Sequence, residues 1–93
     1  MQNDQEPIEL PIDGILDLHA FLPEDAASLV DEYLRVCFEK GIYEVSVIHG
    51  KGKGVLRRTV HSVLDRHPLV KGYNLDPGPS GWGATIVYLK KRQ

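Results

Sequence analysis

Apolar residues recur with a period near two in four stretches of this chain and with a period near 3.6 in two others, and the order of those stretches predicts the architecture. Ile12 to Leu18 (I-D-G-I-L-D-L) reads as a short first strand. Pro23 suits the first position of a helix, and Glu24 and Asp25 suit the positive end of its dipole. Ala26, Leu29, Val30, Tyr33, Leu34 and Cys37 then recur at offsets of three and four, with Asp31, Glu32, Arg35 and Glu39 on the other side, until Lys40 and Gly41 end the helix. Ile42 to Ile48 is rich in β-branched residues and predicts a second strand, so the segment forms a βαβ unit with parallel strands and a right-handed crossover. Val55, Leu56, Val60, Val63 and Leu64 mark a second helix from Gly54 to Arg66, stopped by Pro68, with Arg57, Arg58, His61 and Asp65 on its polar side. Leu69 to Leu75 and Ala84 to Leu89 are the remaining strands, separated by the Gly/Pro-rich loop Asp76 to Gly83. The expected fold is α/β in element order and an α+β two-layer sandwich in architecture: βαβαββ, with a four-stranded mixed sheet and two helices.

Composition narrows this picture. Ninety-three residues, 42% of them hydrophobic, suit one domain over residues 12–93, behind a flexible acidic tail at 1–11 that is broken by Pro7 and Pro11. Cys37 stands alone, which excludes an intrachain disulfide and a cysteine-cluster zinc site. No apolar run reaches the roughly 18 residues of a membrane span, and the acidic start does not resemble a signal peptide. A soluble cytoplasmic monomer is expected.

Charge adds a second pattern. Residues 1–50 carry eleven acids and two bases, residues 51–93 nine bases and two acids, so halves of −9 and +7 hide behind a net charge of −2. This suggests a basic surface for a polyanion on an otherwise acidic body, unless the halves face and neutralise one another.

Two stretches carry candidate chemistry. His49 to Gly54 (H-G-K-G-K-G) alternates three glycines with two lysines behind a histidine and feeds the second helix. Backbone N–H groups of Gly50, Gly52 and Gly54, with Lys51, Lys53 and Arg57, can form an anion nest; the plain alternative is a connecting loop with solvated lysines. The pattern fits neither the P-loop nor the dinucleotide fingerprint. Asp17 and His19 form a D-x-H pair which, in an extended segment, shares one face, so the carboxylate can hold the imidazole in one tautomer. Such a pair can also be no more than a helix cap with a locally bonded histidine. Both stretches fall at the carboxyl ends of parallel strands, where ligands bind in open sheets. Asp17, His19 and His49 could alternatively be read as metal ligands. His61 is expected on the exposed side of its helix, His67 as a partner of the helix C-terminus, and Trp82 either stacked on a base or packed on the sheet edge.

Leu16-Asp17-Leu18-His19, His49-Gly50-Lys51-Gly52-Lys53-Gly54-Val55-Leu56-Arg57 and Gly81-Trp82-Gly83-Ala84-Thr85-Ile86-Val87 resemble, in order and spacing, the three motifs of the Smr (small MutS-related) domain. Ala20 and Ser80 stand where the family commonly has glycine. The resemblance implies a fold similar to the C-terminal domain of translation initiation factor 3. It also implies nucleic-acid binding and, in many members, endonuclease activity on DNA or on mRNA at stalled ribosomes. It places function at Asp17, His19, His49, Gly50, Lys51 and Gly52. With no further module, the chain resembles a stand-alone bacterial member that would need a ribosome or another protein for targeting. The leading expectation is therefore a nuclease acting on RNA or on structured or single-stranded DNA. Asp17, His19 and His49 would be catalytic, and Gly50 to Gly54 with Arg57 would bind phosphate. No cofactor is required on RNA, whereas Mg²⁺ or Mn²⁺ would assist water attack on DNA. A non-catalytic nucleic-acid- or ribosome-binding module is the alternative.

Overall fold

A computed structural model describes residues 11–52, 54–78 and 83–92. Strand β1 (Ile15–Asp17) is followed by helix α1 (Ala26–Glu39), strand β2 (Glu44–Ile48), helix α2 (Val55–Arg66), strand β3 (Val70–Leu75) and strand β4 (Ala84–Leu89). The sheet order is β1-β2-β4-β3. Strands β1 and β2 run parallel, with Asp17 opposite Ile48, and β4 lies antiparallel to both β2 and β3. The expected βαβαββ order and mixed sheet are both present. The helices contact each other and the sheet, so they form one layer.

Alternation along the strands selects the core. Leu16, Val45, Val47, Val87 and Leu89 turn inward against Val30, Tyr33, Leu34, Cys37, Val60 and Leu64 of the helices. Thr85 shares that inward set on β4 and is fully buried. Helix α1 ends as its sequence predicts: Gly41 takes φ +77°, and the Ile42 and Gly41 amides donate to the carbonyls of Cys37 and Phe38.

Two boundaries differ from expectation. Pro23–Asp25 forms a 3-10 turn before α1 instead of its first α-helical turn. The first strand shrinks from seven residues to three: at its end Leu18–Ala20 winds into a 3-10 turn started by Asp17, and at its start the strand begins only after Gly14, which takes φ +90°. The short edge is held by Tyr33, whose hydroxyl accepts from Gly14 N at 3.1 Å and lies 3.1 Å from the Ile15 carbonyl. No described helix is long and apolar enough to cross a membrane.

Candidate functional site

The 3-10 turn makes the Asp17–His19 pair. Asp17 Oδ1 accepts the His19 backbone N–H at 2.9 Å and lies 2.8 Å from His19 Nδ1. The expected shared face of a strand is therefore replaced by a capping turn, which brings the two groups together more closely than strand spacing would. Since the carboxylate only accepts, Nδ1 carries the proton and Nε2 is left as the basic nitrogen. The His19 backbone N–H, opposed by slight burial and helped by the ring, holds the Asp17 carboxyl below its ordinary value, so it is ionised at neutral pH. Ala20 closes this turn in an exposed position, and the pair forms with alanine there.

Parallel pairing puts the ends of β1 and β2 side by side, and His19 reaches across to the glycine loop. A Cβ at Gly50 would stand 2.9 Å from His19 Nε2. Gly50 has φ +84°, a conformation that favours glycine, and a side chain there would push the exposed His19 ring aside. Its amide and that of His49 both donate to the Gly83 carbonyl, at 2.8 and 2.9 Å, which ties the loop to the start of β4.

Beyond Gly50 the chain turns into α2 through Gly54, at φ +80° and with no side-chain cap. Among the described residues no side chain caps the first amides of the helix. His49, Gly50, Gly52, Gly54, Val55, Leu56 and Arg57 line a pocket of about 160 Å³ here. The Arg57 guanidinium lies over Gly54, 2.9 Å from where a Cβ would be, and Lys51 is exposed at the rim. Lys53, Ser80 and Trp82 lie outside the described residues, as does nearly all of the expected tail at 1–11.

His49 is placed differently from His19. It is 4% exposed, its Nδ1 lies 3.0 Å from the Gly50 carbonyl, and its Nε2 lies 2.8 Å from Thr85 Oγ1. Burial pushes its pKa down, against the pull of the Gly50 carbonyl and with help from Arg57 and His19. Because both nitrogens are engaged inside the fold, Asp17, His19 and His49 do not converge as a ligand set. Among the described residues no group of three or more His, Cys, Asp or Glu side chains is arranged to hold a metal.

One expectation is corrected here. His61 is not on the exposed side of α2: it is half-buried, with Nε2 2.8 Å from Thr85 Oγ1 and its ring 4.6 Å from that of Tyr73. Burial, then the neighbouring His49, lowers its pKa. His67 stands at the end of α2, as expected, where it is a buried C-cap. Its Nδ1 accepts from Leu69 N at 3.1 Å, and its Nε2 lies 2.8 Å from Asp31 Oδ1 without hydrogen-bond alignment. Thr85 entered the sequence reading only as a member of the third motif, with no role of its own. The signal was present, since period-two alternation puts Thr85 on the same face as Val87 and Leu89, and a buried hydroxyl needs partners.

Comparison with known proteins agrees with the motifs. An 80-residue stretch is 41% identical to Endonuclease MutS2 of Clostridium tetani, and a 76-residue stretch is 45% identical to that of Clostridium novyi, covering 85% and 81% of this chain. Each match covers 10% of the relative, so this chain spans about a tenth of their length. The crystal structure of the Smr domain of Thermus thermophilus MutS2 superimposes with a TM-score of 0.75 at 31% identity, over 82% of this chain and 96% of that one. YdaL, a stand-alone small MutS-related protein from Escherichia coli, gives a TM-score of 0.76 at 27% identity, over 87% and 67%. The Smr domain profile matches residues 16–90, from the start of the D-L-H motif to the end of β4, and the chain therefore belongs to the Smr domain family.

Proposed function

We propose that this domain binds nucleic acid and cleaves its phosphodiester backbone, with His19 as the acid/base residue. The observation that carries the reading is the stance of one imidazole. His19 Nδ1 is held by Asp17, and Nε2 faces the Gly50 backbone beside the pocket, without a hydrogen-bond partner among the described residues. A phosphate seated at the amino end of α2, against Arg57 and Lys51, would bring its ester oxygens toward that nitrogen. The endonuclease names of the MutS2 relatives point the same way.

On RNA, Nε2 takes the 2′-OH proton, the 2′-oxygen attacks phosphorus, and the 5′-oxygen leaves with a proton returned from the imidazole. The products are a 2′,3′-cyclic phosphate and a 5′-OH end. Arg57, Lys51 and the amides of α2 stabilise the extra negative charge at phosphorus. On DNA no 2′-OH exists and water must attack, for which Mg²⁺ or Mn²⁺ is the natural activator. His49, catalytic in the sequence reading, acts in this scheme through the loop that it braces.

One observation favours a second reading, a non-catalytic binding module. With His49 enclosed, the site offers one free imidazole where transfer chemistry often uses two. The test is to incubate wild type and His19→Ala with labelled RNA and with single-stranded and branched DNA, each with Mg²⁺, Mn²⁺ or EDTA. The expected result is a loss of about 10²- to 10⁴-fold in cleavage by His19→Ala, with binding retained. Equal cleavage by the two proteins would overturn the role of His19, and no cleavage by either alongside salt-sensitive binding would transfer the assignment to the binding module.

A further inference from the structure

We propose that Thr85 and His61 are positioning residues for the glycine loop. They fix His49 in a single tautomer, and His49 in turn holds the Gly50 carbonyl and the backbone turn on which His19 stands. The functional consequence rests on the nuclease reading, but the positioning claim does not.

Hydrogen-bond accounting leads to this assignment. The Gly50 carbonyl, 3.0 Å from His49 Nδ1, can only accept, so Nδ1 carries a proton. In a neutral imidazole Nε2 is then an acceptor and needs a donor. The atom 2.8 Å away is Thr85 Oγ1, and Thr85 is 0% exposed. Thr85 has one hydroxyl hydrogen, and it is used there. His61 Nε2, also 2.8 Å from Oγ1, must therefore donate, which fixes the tautomer of His61 as well. Every proton in the chain His61–Thr85–His49–Gly50 has one satisfactory place. A tautomer flip at His49 would point a lone pair at the carbonyl and, with His61 unchanged, two N–H groups at one hydroxyl.

The chain of contacts is also mechanically braced. The His61 ring is sandwiched between elements, 4.6 Å from Tyr73 and 6.1 Å from His49 in an edge-to-face contact. Tyr73 in turn donates to Asp65 at 2.6 Å, which ties β3 to α2. Helix α2, strand β4 and the loop after β2 thus meet at one hydroxyl. Gly50 at φ +84°, with His19 Nε2 close above its Cα, is where this order reaches the proposed chemistry. A shift of the Gly50 backbone by a fraction of an ångström moves the surface against which His19 rests.

The experiment uses the whole chain, labelled with ¹⁵N, and compares wild type with Thr85→Val, Thr85→Ser and His61→Phe. Long-range ¹H–¹⁵N spectra of the imidazoles read the tautomers directly, whether or not the protein cuts anything. Wild type and Thr85→Ser should show His49 protonated at Nδ1 and bare at Nε2. Thr85→Val should show exchange between tautomers and a moved Gly50 amide resonance, and His61→Phe the same change in smaller degree. Cleavage kcat should fall by about ten- to a hundredfold in Thr85→Val with KM unchanged, and return in Thr85→Ser. A wild-type His49 protonated at Nε2 would overturn the positioning claim even if Thr85→Val fails to fold. So would a folded Thr85→Val with wild-type His49 and Gly50 signals. A wild type that shows the expected tautomer but cuts no substrate refutes the nuclease reading and leaves the positioning claim standing.

Discussion

At the scale of single residues, the loop distinguishes glycines that look alike in the sequence. Gly50 has a left-handed backbone and His19 Nε2 within 2.9 Å of a would-be Cβ, whereas Gly52 has open space around that position. Gly50→Ala should therefore cost about 1–2 kcal/mol from backbone strain alone, and it should also displace His19. Gly52→Ala should be close to neutral. Thermal melts of the two variants check the first statement, and cleavage or binding assays on the same samples check the second. Equal melting temperatures for the pair would show that Gly50 relaxes out of the left-handed region without cost. The alternation of glycine and lysine announced an anion loop, but it could not rank the glycines. That ranking comes from His19, thirty-one positions away in sequence and adjacent only after parallel pairing of β1 and β2.

At the scale of elements, the pattern of apolar positions was a reliable guide wherever an element owes its existence to one buried face. Both helices and strands β2 to β4 fall within three residues of their expected limits, because their inward residues form the core. It failed where a polar side chain decides. Strand β1 stops early since Asp17 caps a 3-10 turn, and His61 turns inward since Thr85 receives it. Neither contact leaves a periodic trace. The β1 edge is also decided by one polar group, the Tyr33 hydroxyl, which meets Gly14 N, the Ile15 carbonyl and, at 3.5 Å, Asp13 Oδ1. Tyr33→Phe keeps the ring in the core but leaves the Gly14 N–H without that acceptor, at a cost of about 1–3 kcal/mol. Since β1 carries Asp17, the variant should show faster amide exchange at Gly14 and a loosened Asp17–His19 contact while α2 stays protected. Uniform loss of protection across the domain would mean that the hydroxyl supports the whole core rather than the edge.

At the scale of the whole molecule, the charge split survives folding as a division across the sheet. The acidic half of the chain builds β1, β2 and α1, and the basic half builds α2, β3 and β4, on the other side of the β2–β4 boundary. Among the described residues, Arg92–Glu39 at 3.4 Å joins the halves as an ion pair, and His67 meets Asp31 at 2.8 Å as one only when its ring is protonated. The first is exposed and contributes little. Among the described residues few direct pairs neutralise the two halves, and the glycine loop lies on the seam with Arg57 on its basic side. A polyanion bound there should release counterions in proportion to the phosphates it brings to that side. For single-stranded RNA, the slope of log K against log salt is about −0.7 for each phosphate neutralised. Arg57→Ala should weaken binding at low salt and reduce the slope by about 0.7, whereas Arg35→Ala, on α1 and already paired with Asp31 at 3.0 Å, should change neither. Fluorescence anisotropy titrations over a series of salt concentrations measure both quantities. If Arg35→Ala lowers the slope as much as Arg57→Ala does, nucleic acid lies across α1 and the glycine loop is not its main contact.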